Sequence, residues 1–173
     1  VFTLYLRKGL KWSDGVPFTA DDFIYWWEAE ANNEDLNPIS PENWKPIGWE
    51  EVEKVDDYTI KIHFTRPNPL FMKNVWNKLG RNGWNHGAPA HFLKQYHPEY
   101  TDDKEALNKL VKEEGFDEWY QLYSYIKQDG QSQVGFPMPT VGSYIVKDAN
   151  ENSLLLERNP YYYAVDPEGN QLP

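Results

Sequence analysis

Cysteine is absent from the 173 residues, so disulfides and thiolate-bound metals are excluded. Its absence says little about compartment. No stretch approaches the run of about 18 apolar residues that marks a membrane-spanning helix. Positive charge is scarce: 17 Lys and Arg stand against 27 Asp and Glu, a net charge of −10. A nucleic-acid groove needs clustered cations facing phosphates, so that class of partner is excluded. An acidic surface instead keeps a secreted protein soluble. There is no glycine loop of the phosphate-cradling kind, no internal repeat, no low-complexity segment and no signal peptide.

Aromatic side chains are plentiful. They make up 16% of the chain, with 8 Trp and 12 Tyr, and apolar residues reach 40%. That is enough to bury a core, and more aromatic surface than a core of this size needs. The length allows one domain or two small ones.

The chain is organised around Lys8 to Phe23. Phe2-Thr3-Leu4-Tyr5-Leu6-Arg7 alternates and predicts a strand. Ser13-Asp14-Gly15 supplies turn chemistry. Thr19 is a good N-cap, with Asp22 at the capping-box position and Phe18 and Phe23 placed as a hydrophobic staple. A helix is expected from Ala20 to about Asn32. Asn32 to Pro38 is a loop by composition, and Ile39 to Trp49 is irregular, holding Pro41, Pro46 and Gly48. Glu50–Val55 and Tyr58–Phe64 predict a hairpin around Asp56-Asp57, with Tyr58, Ile60, Ile62 and Phe64 on one face.

Pro67-Asn68-Pro69 stops that strand, and Leu70–Leu79 is expected to be helical. Gly80 to Gly87 is a glycine-rich break. Helices are expected over Ala88–Tyr96, Asp102–Glu114 and Phe116–Gln128. In the second, Ala106, Leu107, Leu110 and Val111 are spaced for one face, and Gly115 is placed to stop it. The third offers Phe116, Trp119, Tyr120, Tyr123 and Ile126. Gly142–Lys147 and Ser153–Arg158 predict a second hairpin, and the residues from Asn159 on read as loop.

Little of this is catalytic chemistry. His86, His91 and His97 fit no metal-ligand spacing and read as ordinary histidines, so no metal site is expected. Asp21, Asp22, Glu28 and Glu30 are the carboxylates a hydrolase would need. Asp21 and Asp22 fall in a first helical turn, where acids serve the cap and dipole. Ser13, Asp14 and His63 make no triad, because nothing sets an oxyanion hole beside them. No catalytic residue and no cofactor is expected. Trp12, Trp26 and Trp27 read as core. Trp44, Trp49 and Trp84 lie in irregular stretches, where binding residues on a rigid frame tend to sit. With Asn37 and Asn85 beside them they are the candidate ligand contacts: an apolar platform with hydrogen-bonding edges.

Four of these stretches carry a resemblance. LRKGLKWSDGVPFTADDFIYWWE (Leu6–Glu28) is similar to a segment of the family 5 extracellular solute-binding proteins of ABC importers. Gly87 to Tyr96 resembles that family's P-x-H-Y-L-E-Q helix, and Val52 to Met72 its second-strand hairpin. Leu156 to Tyr163 resembles its L-E-R-N-P-x-Y-W motif, extended by Val165 to Pro173. The resemblance implies an α+β chain, part of a type II periplasmic-binding-protein-like fold. Residues 1–86 would belong to the small lobe and 87–173 to the large one. It implies a fragment of a longer receptor, periplasmic or extracellular and lipid-anchored in the full-length parent, that hands its ligand to ABC permease subunits. The ligand would be an oligopeptide or related solute. An oligosaccharide is the alternative within the family, and a secreted carbohydrate-active hydrolase the alternative outside it. The Asn37–Trp49 loop and the Trp84–Gly87 crossover are expected to line one wall of an open groove.

Overall fold

The computed structural model describes residues 1–37, 49–71, 87–129, 135–150 and 152–172. The chain forms two compact units: Val1–Lys8 with Thr19–Ala90, and Gly9–Phe18 with His91–Pro173. The content is mixed helix and strand, as expected. Gly9–Phe18 groups with His91–Pro173 and not with the residues on either side of it.

In the first unit, strands β1 (Phe2–Tyr5), β2 (Trp49–Asp56) and β3 (Thr59–Phe64) form an antiparallel sheet in the order β1-β3-β2. Ile62 faces Phe2 on one side and Val52 on the other, so one sheet face is apolar. Ile60 and Ile62 are fully buried. Phe2, Phe64 and Phe71 close one end, with ring centroids 4.5 to 5.5 Å apart. The β2–β3 turn is built on Asp56, whose carboxylate accepts from the Tyr58 N–H at 2.8 Å. The short polar side chain supplies the turn's hydrogen bond, which is why Asp suits this position.

Helix α1 (Ala20–Tyr25) starts at Thr19 with both halves of the expected capping box in place. It does not continue as an α-helix to Asn32. Trp26–Ala31 is a π-helical turn. Its wide closure is fixed by Asn32, whose backbone N–H and side-chain amide both donate to the Trp27 carbonyl, at 3.2 and 2.6 Å. The side-chain amide gives the carbonyl a partner that α-geometry would not have required. Trp26, Trp27, Ala29, Glu30 and Ala31 are all buried, and Glu28 is the exposed residue of the turn.

In the second unit, α2 (Ala90–Leu93, whose first residue is the last of unit one) runs into a 3₁₀ turn, Lys94–Tyr96. Helix α3 (Lys104–Glu113) is capped by Asp103, which accepts from the Ala106 N–H at 2.9 Å. It ends in a Schellman motif. Gly115, at φ +81°, donates to the Lys112 carbonyl and Phe116 to that of Val111. Helix α4 (Trp119–Asp129) begins later than expected. The Gln121 side chain accepts from both Asp117 and Glu118 N–H groups and so caps the helix three residues in. Leu122, Tyr123 and Ile126 form its buried face, while Trp119 and Tyr120 are half-buried. Strands β4 (Tyr144–Asn150) and β5 (Ser153–Arg158) pair as a hairpin with a shorter loop than the composition suggested. The expected Leu70–Leu79 helix lies outside the described residues, apart from its start.

Candidate functional site

The turn Trp12–Gly15 is the hub of the second unit. The Gly15 N–H donates to the Trp12 carbonyl at 2.9 Å, and Asp14 Oδ1 accepts from the Val16 N–H at 3.1 Å. Gly15 has φ +89°, and a Cβ there would stand 3.0 Å from the Tyr161 hydroxyl. Only glycine meets both demands without strain. Lys11 Nζ lies 5.1 Å from the centre of the same Tyr161 ring.

Ser13 is tied twice to Thr140. The Ser13 N–H donates to the Thr140 carbonyl at 2.9 Å, and the Thr140 N–H donates to Ser13 Oγ at 3.0 Å. Asp14 Oδ2 meets His91 Nε2 at 2.7 Å. Asn159 is fully buried and holds the other side. Its side-chain amide donates to the Gly142 carbonyl at 2.7 Å, and its Oδ1 accepts from the Tyr161 N–H at 2.9 Å. Stretches far apart in sequence, around Trp12, His91 and Asn159, therefore meet in one unit and are saturated by one another. Trp12 is buried, as are Trp26 and Trp27 in the first unit.

Of the four carboxylates that a hydrolase would need, Asp21 and Asp22 are committed elsewhere. Asp21 pairs with Lys54 at 2.8 Å, and Lys54 also reaches Asp57 at 3.0 Å. Those two carboxylates, Asp21 first, hold the Lys54 ammonium above its ordinary pKa. Asp22 is buried and serves the cap. His63 lies in the first unit against Glu53, at 3.0 Å, and lowers the Glu53 pKa chiefly through that hydrogen bond. His97 is buried, its ring 4.6 Å from that of Trp119, with Nδ1 accepting from the Glu99 N–H at 3.2 Å. Among the described residues no three His, Cys, Asp or Glu side chains are grouped to hold a metal.

Of the candidate ligand contacts, Asn37 is the one whose side chain is described. It is half-buried, and its amide donates to the Glu30 carbonyl at 2.6 Å, closing the end of the π-turn. Trp49 opens β2 opposite Phe64, and only its backbone is described. Trp44, Trp84 and Asn85, with the segments that carry them, lie outside the described residues. Sequence reasoning missed the fastening roles of Thr140, Asn159 and Tyr161. The signal available for Asn159 was the R-N-P-x-Y pattern itself, and Tyr161 stands at its open position.

Residues 1–172 match the sequence profile of the bacterial extracellular solute-binding proteins, family 5 Middle. The chain belongs to this family. It is 30% identical to the periplasmic alpha-galactoside-binding protein of Rhizobium meliloti (strain 1021) over 181 positions, which cover 99% of this chain and 22% of that protein. Against the periplasmic oligopeptide-binding protein OppA of Salmonella typhimurium (strain LT2) identity is 26%, covering 94% and 26% of the two chains. A solved structure of an oligopeptide-binding protein OppA superposes on 99% of this chain with a TM-score of 0.83 and 41% identity, and this chain covers 25% of it. The fold is thus part of the type II architecture of these receptors. The chain spans about a quarter of the length of these relatives. Within this family 5 chain, the W-S-D-G and R-N-P-Y-Y motifs build the frame. Among the described residues, no helix is long and apolar enough to cross a membrane.

Proposed function

We propose that this chain is part of the extracellular substrate-binding component of an ABC importer, a receptor that captures an oligopeptide and delivers it to permease subunits. The observation that carries this reading is family 5 membership across residues 1–172, together with 41% identity to an oligopeptide-binding protein along nearly the whole chain. We assign residues 1–86 to the small lobe and 87–173 to the large lobe. The parent protein acts outside the cell membrane, in the periplasm or the extracellular space, and is held there by a lipid anchor. Asn37, Trp44, Trp49, Trp84 and Asn85 are the proposed ligand contacts, on one wall of a cleft that a second lobe completes.

An oligosaccharide is the second reading. It is favoured by the 30% identity to an alpha-galactoside-binding protein over 99% of this chain. Planar indoles stack on sugar faces and on peptide side chains alike, so the tryptophans fit both. Calorimetric titration of the full-length receptor with mixed tri- to pentapeptides and with galactose-containing oligosaccharides separates the two. Trp44→Ala or Trp84→Ala should weaken binding of the true ligand by about 1–3 kcal/mol, as for a buried aromatic anchor. Unchanged affinity in both variants would refute the site, and binding of neither ligand class would refute both readings. Turnover of either ligand class would point instead to a hydrolase.

A further inference from the structure

The first unit contains one long continuous segment, Thr19–Ala90, and both of its ends meet the same side chain. Asp22 Oδ2 accepts from the Thr19 N–H at 3.0 Å, and Asp22 Oδ1 accepts from the Ala90 N–H at 3.1 Å. The Asp22 backbone carbonyl accepts from the Ala88 N–H at 3.2 Å. The residue is 4% exposed. Thr19 is the first residue of the segment and Ala90 the last. We propose that Asp22 is the pin that closes this segment on itself, a positioning residue that makes Thr19–Ala90 a single insertion with joined ends.

The chemistry suits a carboxylate. Two backbone N–H groups converge on it, and a carboxylate offers an acceptor oxygen to each. The bond to Ala90 is buried and the bond to Thr19 partly so, and hydrogen bonds gain strength away from water. An amide side chain could satisfy one donor but would turn its own N–H₂ against the other. Parting Ala90 from α1 therefore breaks a buried bond to the Asp22 side chain. The pin does not rest on the proposed function.

Amide hydrogen exchange on the chain tests the pin without any ligand, so it can fail separately from the receptor reading. In Asp22→Asn, exchange at Thr19 or Ala90 should accelerate by roughly tenfold or more, as local opening replaces a lost charged hydrogen bond, while Ile60 and Ile62 in β3 keep their protection. Thr19→Ala removes the capping hydroxyl but leaves both carboxylate bonds, so Ala90 should stay protected. Unchanged exchange at both ends in Asp22→Asn, or acceleration shared equally by Ile60 and Ile62, would overturn the proposal. If Asp22→Asn does not fold, the unsubstituted chain still decides. A scalar coupling across the hydrogen bond from the Ala90 nitrogen to the Asp22 carboxyl carbon is expected, and its absence would sink the pin.

Discussion

Gly15 and Asn159 are the two residues whose replacement the structure resists for the clearest reasons. Gly15→Ala would place a methyl group against the Tyr161 hydroxyl, on a backbone at φ +89°. Strain of this kind costs about 1–3 kcal/mol, so the urea midpoint should fall with little change in slope. Asn159→Ala would leave the Gly142 carbonyl and the Tyr161 N–H without their side-chain partner inside the protein. Both bonds are partly buried, so each group so orphaned costs at most about 1–3 kcal/mol. Asn159→Asp should not rescue the chain, because a carboxylate cannot donate to the Gly142 carbonyl. Equal stability of Asn159→Asp and the unsubstituted protein in chemical denaturation would contradict that account.

At the scale of elements, caps and turns fix the boundaries, and they titrate. Thr19→Ala should cost about 1 kcal/mol through loss of the N-cap, whereas Thr19→Ser should be close to neutral. Circular dichroism during thermal unfolding measures both. The β2–β3 hairpin has carboxylates held below their ordinary pKa. Asp56 is lowered by the Tyr58 N–H, and Glu53 by His63. Asp166, in the loop that the Val165–Gln171 bridge closes, is lowered by the Asn170 side chain. A group with a depressed folded pKa favours the folded state above its unfolded pKa. That contribution fades as pH falls from about 4 through the folded value. Lys54 has the opposite sign. Its raised pKa favours the folded state below about 10.4, and the contribution is lost as pH rises through the folded value. Stability should therefore decline at both extremes of pH, and Lys54→Met should flatten the alkaline limb. A limb unchanged in that variant would place its origin elsewhere. All these groups reach solvent, so each effect is small.

The molecule as a whole carries a net charge of −10 at pH 7 and an isoelectric point near 4.8. Protonation of carboxylates removes this charge as pH falls, so light scattering should show a solubility minimum close to that value. One surface feature sharpens the expectation. Every residue of β5 is exposed, including Leu154, Leu155 and Leu156, on a ribbon of two strands. Exposed apolar strands pair with others once charge repulsion is gone. Leu155→Lys should raise solubility near the isoelectric point, and scattering that ignores the substitution would assign association to another surface.

Local rules made much of this chain legible. A cap reaches three residues, so Thr19 and Asp22 announced the start of α1 without help. Strand alternation has period two, so Ile60 and Ile62 declared their buried face. Gly115 ended α3 as its position implied. What stayed illegible begins with side chains that fold back on nearby backbone. The switch from α to π geometry at Trp26 depends on where the Asn32 amide finds a carbonyl. The late start of α4 depends on a glutamine side chain folding back over its own cap. The Asn37 amide closes the end of the π-turn on the Glu30 carbonyl, a bond that residue type alone does not announce. Most telling are the long-range bonds: Asp22 to Ala90 spans 68 residues and Ser13 to Thr140 spans 127. In each case one partner is a backbone N–H. Nearly every residue carries that group, so its partner leaves no mark in the sequence. The chain's own residues determined the elements, their caps and their buried faces. Which distant backbone each polar side chain fastens was decided only by the fold that brought them within 3 Å or so of each other.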